Sequence, residues 1–464
     1  MKQNRSYTKN QCPARKPAHP LPTEPVELSI ESLSYDGRGV GRFQGKAAFI
    51  ANALPGEQVM AQLTEEKSRF YLGHTDTIIS ASSHRIDPAC PHYQQCGGCD
   101  LQHLDNDAQL ELKQTQVLEQ LDRIGHTQPG KISPALTAAN WNYRRSARIG
   151  INQLYDGEPI VGFRRRGSHL LSQIDSCAVL DSRVADIFSR VRDALRDTGD
   201  IKYITQLDVD LGDQGGYLSL RLKKQLSDEH LEIFTALAEH YGLSLHLQII
   251  GADPDKFTDS LSSYKLDQLE LMFRPGDFIQ INAGINQQMV DKACQMLELK
   301  PEDKILDLFC GLGNFSLPVA HAGASVTGVE GSLSMVEQAE RNARHNNQQN
   351  CRFFCANLAD NLKGLQWFKQ NYNKIILDPP RTGAASLIPQ ICSLRPELIL
   401  YISCNPGALA RDSQLLSEEG YQLREFLVMD MFPQTHHIES MALFVRGKKK
   451  TQKKKLFSGK GISR

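Results

Sequence analysis

From residue 271 onward the sequence falls into a rhythm that few architectures can absorb. Short apolar runs, KILDLFC, ASVTGVE, CRFFCA, KIILDPP and ELILYISC, alternate with longer stretches of helical periodicity. Strand-like runs separated by helices in this way predict a parallel sheet with crossover helices. The last part, YQLREFLVMDMFPQTHHIESMALFVRG, predicts two further strands joined by a loop.

The chain of 464 residues is long enough for about three domains at roughly 150 residues each. Residues 21–80 read as all-β: VELSIESL alternates, Gly37, Gly39 and Gly41 suit a tight turn or bulge, and Leu54–Pro55–Gly56 turns between two more short strands. Close-set short strands predict a small barrel of the oligonucleotide-binding type. Residues 84–130 hold a group of cysteines and then a helical pattern. Residues 141–270 mix strands and helices, with Arg144, Arg145, Arg148 and Arg164, Arg165, Arg166 on strand-like stretches. This predicts an α+β domain with a basic face suited to phosphate contacts. The expected division is a disordered basic tail over 1–22, a barrel over 23–82, a central domain over 83–270, the α/β domain over 271–447 and a second basic tail over 448–464.

The formal net charge is zero, yet the charge is unevenly spread. Residues 1–20 carry five Lys or Arg and no acid, and the stretch from Gly447 carries eight and no acid. Such ends suit either a solubilising arm or attraction to RNA. No apolar run reaches the ~18 residues of a membrane span, and the N-terminal stretch lacks the apolar core of a secretory signal. The expected compartment is the cytoplasm, with no membrane contact. Eleven scattered cysteines in such a chain argue against a disulfide framework and leave metal binding or catalysis for any that cluster.

Asp307–Leu308–Phe309–Cys310–Gly311–Leu312–Gly313–Asn314 follows a predicted strand and precedes a helix. Glycines there let the backbone approach a ligand at the carboxyl end of the sheet. A GxG loop alone fits NAD, FAD or S-adenosylmethionine. The dinucleotide fingerprint would need a third glycine where Ser316 stands. Glu330 ends the next strand, placed to accept hydrogen bonds from ribose hydroxyls in any of these cofactors. The choice comes from Asp378–Pro379–Pro380–Arg381 after the fourth strand. An acid held by two prolines at that place is the mark of methyltransferases acting on nucleic-acid or amide nitrogen and, in one group, on uracil carbon.

Strand five opens onto Ser403–Cys404–Asn405–Pro406, facing the same crevice. Carbon 5 of uracil is too weak a nucleophile to take a methyl group unaided. Addition of a thiolate to carbon 6 turns the ring into an enolate whose carbon 5 can attack, and a base must then remove the carbon-5 proton. Cys404 is the candidate nucleophile. Glu439 and His437, in Phe432–Pro433–Gln434–Thr435–His436–His437–Ile438–Glu439, are the candidate bases, and on pKa grounds alone His437 is preferred.

Cys90-x5-Cys96-x2-Cys99 offers three thiolates, with Gly97 and Gly98 letting the chain wrap tightly. Zinc sites favour two close pairs, iron–sulfur clusters tolerate irregular spacing, and spacing alone leaves the metal open.

Two resemblances now enter. DGRGVGR followed by LPGE resembles the TRAM domain, an RNA-binding barrel attached to RNA-modifying enzymes. SCNP, DPPR, FIQIN at 278–282 and FPQTHHIE together resemble the RNA uracil-C5 methyltransferases, over roughly residues 27–446. The resemblance implies a Rossmann-like class I methyltransferase domain (α/β) preceded by the OB-like TRAM barrel and the α+β central domain. It implies Cys404 as nucleophile, Glu439 as base, and contacts to S-adenosyl-L-methionine from Gln280, Phe309, Asn314, Glu330, Asn357 and Asp378. It further implies a [4Fe-4S] cluster on Cys90, Cys96, Cys99 and Cys177, structural or RNA-contacting rather than a radical initiator. The family branch with both barrel and cysteines methylates 23S ribosomal RNA, so that RNA is the expected partner of a protein expected to act as a monomer. The target uracil is expected in a loop or unfolded region, where it can be splayed out of the stack. The alternatives are a dual-site or transfer-RNA relative, and an inactive methyltransferase fold that only binds RNA. A DNA cytosine methyltransferase would carry its cysteine on the fourth-strand loop, which here reads DPPR.

Overall fold

The computed structural model describes residues 21–199, 201–251 and 261–447. The expectations for the two basic tails fall mainly on residues outside this range. The chain divides into two compact units, the first ending at Asp87 and the second beginning at Pro88.

In the first unit six strands pair in the order Val26–Ser29, Gln58–Glu66, Phe70–Ser80, Lys46–Ala51, Gly39–Phe43, Ser32–Leu33. Residues 26–29 pair with one edge of this sheet and residues 32–33 with the other, so the sheet closes on itself. The inward residues Leu28, Ile30, Ala48, Ile50, Val59 and Ala61 form its core. Of the three glycines expected in one turn, only Gly37, at φ 76°, lies in the left-handed region. Gly39 and Gly41 sit within a strand instead, where a Cβ would come within 2.8 Å of Ala53 and 2.7 Å of the Ser29 carbonyl. Glu57 of the LPGE stretch is buried, accepts from the Leu54 N–H at 2.8 Å and pairs with Arg85 at 2.6 Å.

In the second unit a five-stranded sheet runs in the order Ser244–Ile249, Gly216–Leu222, Ile204–Leu211, Ser146–Gln153, Pro159–Gly162. It is antiparallel except for its first pair, which the helix Asp228–His240 joins by a crossover. That helix and Ile187–Thr198 cover one face through Phe234, Phe188, Val191 and Leu195. The six arginines do not make one basic face. Arg148, Arg164 and Arg165 are exposed, Arg144 and Arg166 are half-buried, and Arg145 is buried. Arg164–Arg166 lie in a loop after the last strand, held only by isolated bridges.

The α/β part has the architecture expected from its rhythm. Five parallel strands lie in the order Cys351–Cys355, Ser325–Glu330, Lys304–Leu308, Lys374–Leu377, Leu398–Ser403. Glu439–Arg446 then inserts antiparallel beside Leu398–Ser403, followed by Tyr421–Met429 and the short edge Lys131–Ile132. Two apolar cores cover the two faces. The chain reverses direction across the sheet between Lys304–Leu308 and Lys374–Leu377, and such a switch point opens a ligand crevice at the strand ends. The helix Asn106–Arg123, far upstream in sequence, packs against Pro406–Glu418 and along Tyr421–Met429. Among the described residues no helix is long and apolar enough to cross a membrane.

Candidate active site

A cavity of about 520 Å³ opens at the carboxyl ends of these strands. Gln280, Phe309, Asn314, Glu330, Asp378, Cys404 and Glu439 all line it, as does His437. Asn357 does not; it is exposed in the loop after Cys351–Cys355, next to Ala356, whose N–H donates to the Glu330 carbonyl at 3.0 Å.

The glycine loop leaves the strand through Phe309, at φ 65°, and turns at Gly311 and Gly313, both also left-handed. The Gly311 N–H donates to Glu330 Oε2 at 3.3 Å, while Glu330 Oε1 accepts from the N–H groups of Gly331 and Ser332 at 2.7 and 3.1 Å. Ser316, which stands where a dinucleotide fold would have its third glycine, donates its hydroxyl to Asp307 beneath the loop at 2.5 Å. Asn314 is fixed by a pair of amide bonds with buried Asn286 at 2.8 and 3.0 Å and by the Tyr264 hydroxyl at 3.0 Å. The Arg145 guanidinium lies 4.5 Å from the centre of the Tyr264 ring and donates to the Gln280 carbonyl at 2.7 Å. Tyr264 and Asn286 carry no motif and nothing in the sequence separates them from ordinary core residues, while Arg145, expected on a phosphate-contacting face, turns inward to Tyr264 and Gln280 instead.

Cys404 and Glu439 meet because of strand register. Ser403 pairs with Ser440 in the antiparallel ladder, so the next residues outward, Cys404 and Glu439, stand across from each other at the sheet end. The loop bearing Asp378 is tied to the Cys404 loop by Asn405, whose amide donates to the Arg381 carbonyl at 2.9 Å while its oxygen caps the helix Pro406–Glu418. Buried Asp412 braces both, accepting from the Ala384 N–H and the Tyr401 hydroxyl at 2.6 Å each.

The enclosure disfavours charge. Burial pushes the Asp378 carboxyl up to about 7. Burial, then the carboxyls of Glu439 and Asp378, pushes the Cys404 thiol up to about 11, with Arg381 opposing. Burial and Asp378 hold the Glu439 carboxyl well above its usual range, again against Arg381. His437 moves the other way: burial, then the neighbouring His436 and Arg381, bring it down to about 4. A carboxylate whose ionised form is disfavoured is a strong base; an imidazole near 4 is a weak one. Enclosure thus moves the two candidate bases in opposite directions, raising the carboxyl and lowering the imidazole.

Cys90, Cys96, Cys99 and Cys177 line a second, separate cavity of about 220 Å³. Burial raises the Cys96 and Cys99 thiols to about 11 and 12, and neighbouring thiols of the same set add to both shifts. Burial likewise raises Cys177, with Cys90 adding to it. With Cys90 they set four thiols around one space, a soft donor set of the kind that binds metal groups. Among the described residues no three His, Cys, Asp or Glu side chains are grouped closely enough to hold a metal ion.

The transfer-RNA (uracil-5-)-methyltransferase family model matches residues 143–447, and the TRAM domain model matches residues 23–74. A 23S rRNA (uracil(1939)-C(5))-methyltransferase RlmD of Shewanella sediminis is 41% identical over 425 residues, 90% of this chain and 95% of its own. The protein of the same name from Aeromonas hydrophila is 38% identical over 436 residues, 94% of this chain and 98% of its own. Among solved structures, the Pyrococcus abyssi tRNA (uracil-54, C5)-methyltransferase in complex with S-adenosyl-L-homocysteine aligns with a TM-score of 0.70. It is 23% identical and covers 90% of this chain and 100% of its own. That likeness extends the shared fold through nearly the whole molecule.

Proposed function

The chain belongs to the family of RNA uracil-C5 methyltransferases, and from that premise we propose that it methylates carbon 5 of a uracil in 23S ribosomal RNA. The target we assign is the counterpart of the uracil at position 1939 named for its relatives. The observation that carries the reading is the placement of Cys404 opposite Glu439 in the cavity that Asp378 and the glycine loop also line.

S-adenosylmethionine supplies the methyl group as a sulfonium electrophile. Gln280, Phe309, Asn314, Glu330 and Asp378 hold it, with Asn357 an outer contact. The Cys404 thiol releases its proton to solvent and the thiolate bonds to carbon 6, loading electron density onto carbon 5, which takes the methyl group from the sulfonium. Glu439 then accepts the carbon-5 proton, the C6–S bond breaks, and the Cys404 thiolate leaves. His437, held neutral, orients the loop or the base. A paired uracil cannot reach Cys404 at the cavity floor, so the target must be splayed from its stack. Cys90, Cys96, Cys99 and Cys177 hold a [4Fe-4S] cluster as a structural or RNA-facing element. The barrel and the exposed Arg148, Arg164 and Arg165 offer cationic contacts to RNA. We read the acting unit as a monomer working in the cytoplasm, where ribosomal RNA is made.

Two variants test this reading. RNA carrying 5-fluorouracil at the target should give a methylated adduct stable to denaturing electrophoresis, and Cys404→Ala should abolish it while still binding cofactor. Glu439→Gln should form the methylated adduct on ordinary uridine RNA and stall there, while His437→Ala should slow turnover without stalling. An adduct with Cys404→Ala, or stalling by His437→Ala and not by Glu439→Gln, would overturn these assignments.

A further inference from the structure

The loop Phe432–Ile438, which delivers Glu439 to the cavity, is held by residues from the cysteine-bearing segment and the helix after it. Gln434 sits at φ 68°, a left-handed conformation that a non-glycine residue keeps only when its surroundings impose it. Its carbonyl accepts from the N–H groups of Asp100 and Leu101 at 2.9 and 3.0 Å. Its N–H donates to Gln109 Oε1 at 2.9 Å. Two residues on, the His436 N–H donates to Asp100 Oδ2 at 3.2 Å, and His436 Nδ1 meets that same oxygen at 2.5 Å.

Asp100 is itself fixed from behind. It directly follows Cys99. Arg166 lies 3.5 Å from Asp100 Oδ1 and donates to the Cys99 carbonyl at 2.7 Å. The Tyr93 hydroxyl donates to the Asp100 carbonyl. On the other side, the His436 ring contacts that of His437 at 4.4 Å between centres, and His437 packs edge-on against Phe432 at 5.6 Å. Phe432 and His437 both line the cavity with Glu439. A continuous chain of contacts thus runs from the cysteine segment through Asp100 and His436 to the wall on which the base stands.

We propose that Asp100 is a positioning residue for proton removal: by gripping His436 it sets the loop that aims Glu439, and so links the order of the cysteine segment to the last step of the reaction. This rests on Glu439 being the base. A contact of this kind acts through geometry, and misplacing a catalytic group by about 1 Å can cost about a hundredfold in rate.

The test uses the full-length protein, methyl-labelled S-adenosylmethionine and uridine RNA. Asp100→Ala should keep the wild-type cofactor Kd and iron content, lose turnover by about a hundredfold, and accumulate the methylated covalent adduct. Asp100→Asn keeps an oxygen that can accept from the His436 N–H and should recover most of the turnover. His436→Ala, which leaves the cysteine segment untouched, should accumulate the same adduct and keeps the test decisive if Asp100→Ala does not fold. Normal turnover by His436→Ala, an Asn variant as slow as the Ala variant, or iron lost in step with activity overturns the inference. Glu439→Gln runs alongside. If it stalls and the Asp100 and His436 variants do not, only the positioning role falls; if it does not stall, the base assignment falls and this inference with it.

Discussion

Lys113, on the helix Asn106–Arg123, donates its ammonium to Asp430 at 2.7 Å, and both side chains are almost wholly buried. The same ammonium donates to the Phe432 carbonyl at 3.0 Å, at the start of the loop that leads to Glu439. Burial pulls the Lys113 pKa down while Asp430 works to hold it up. Removing one partner of a buried pair strands the other charge and costs about 3–5 kcal/mol, whereas replacing both with apolar residues can be nearly neutral. Lys113→Met should therefore lower the urea midpoint markedly, and Lys113→Met with Asp430→Leu should recover much of the loss. A single variant as stable as the parent would show that the pair holds nothing together.

If the buried Asp378 contacts the cofactor as proposed, cofactor binding should be pH-dependent. Its folded pKa, about 7, lies above the ordinary 3.8. Its contribution to the stability of the free protein is thus fully present below pH 3.8 and is lost as pH rises through about 7. A sulfonium cation favours the ionised carboxylate, so cofactor binding runs the opposite way. The Kd should fall as pH rises towards 7, by up to about tenfold per unit, and level off above it. Calorimetry in buffers of different ionisation enthalpy should record proton release on binding near pH 6 and little at pH 8. Asp378→Asn should flatten the profile; a slope unchanged in that variant would place the titration elsewhere.

The four thiols of the second cavity predict a visible property. Protein purified without oxygen should be brown and carry about four iron and four acid-labile sulfide per chain. Cys177→Ser should lose that occupancy. Colourless, active protein with one zinc per chain would falsify the cluster, and full occupancy in Cys177→Ser would mean that another residue is the fourth ligand.

The sequence by itself determined the parallel strands, the glycine loop, the DPPR loop and the place of Cys404. Each of these is local: apolar runs fix strands, and a crossover topology puts whatever follows them at one end of the sheet. Most of the cavity lining follows from that rule. Tertiary structure alone decided which groups face one another. Cys404 stands opposite Glu439 only because Glu439–Arg446 inserts antiparallel with Ser440 on Ser403, and register between distant strands is not written in either strand. Asp100 and His436 meet across 336 positions of chain, and no periodicity reports such a contact. Arg145 and Arg148 look alike in an alternating run, yet one is buried against Tyr264 and the other exposed. The opposite shifts of Glu439 and His437 were likewise decided by enclosure: burial penalises the charged form of each, which raises the carboxyl and lowers the imidazole.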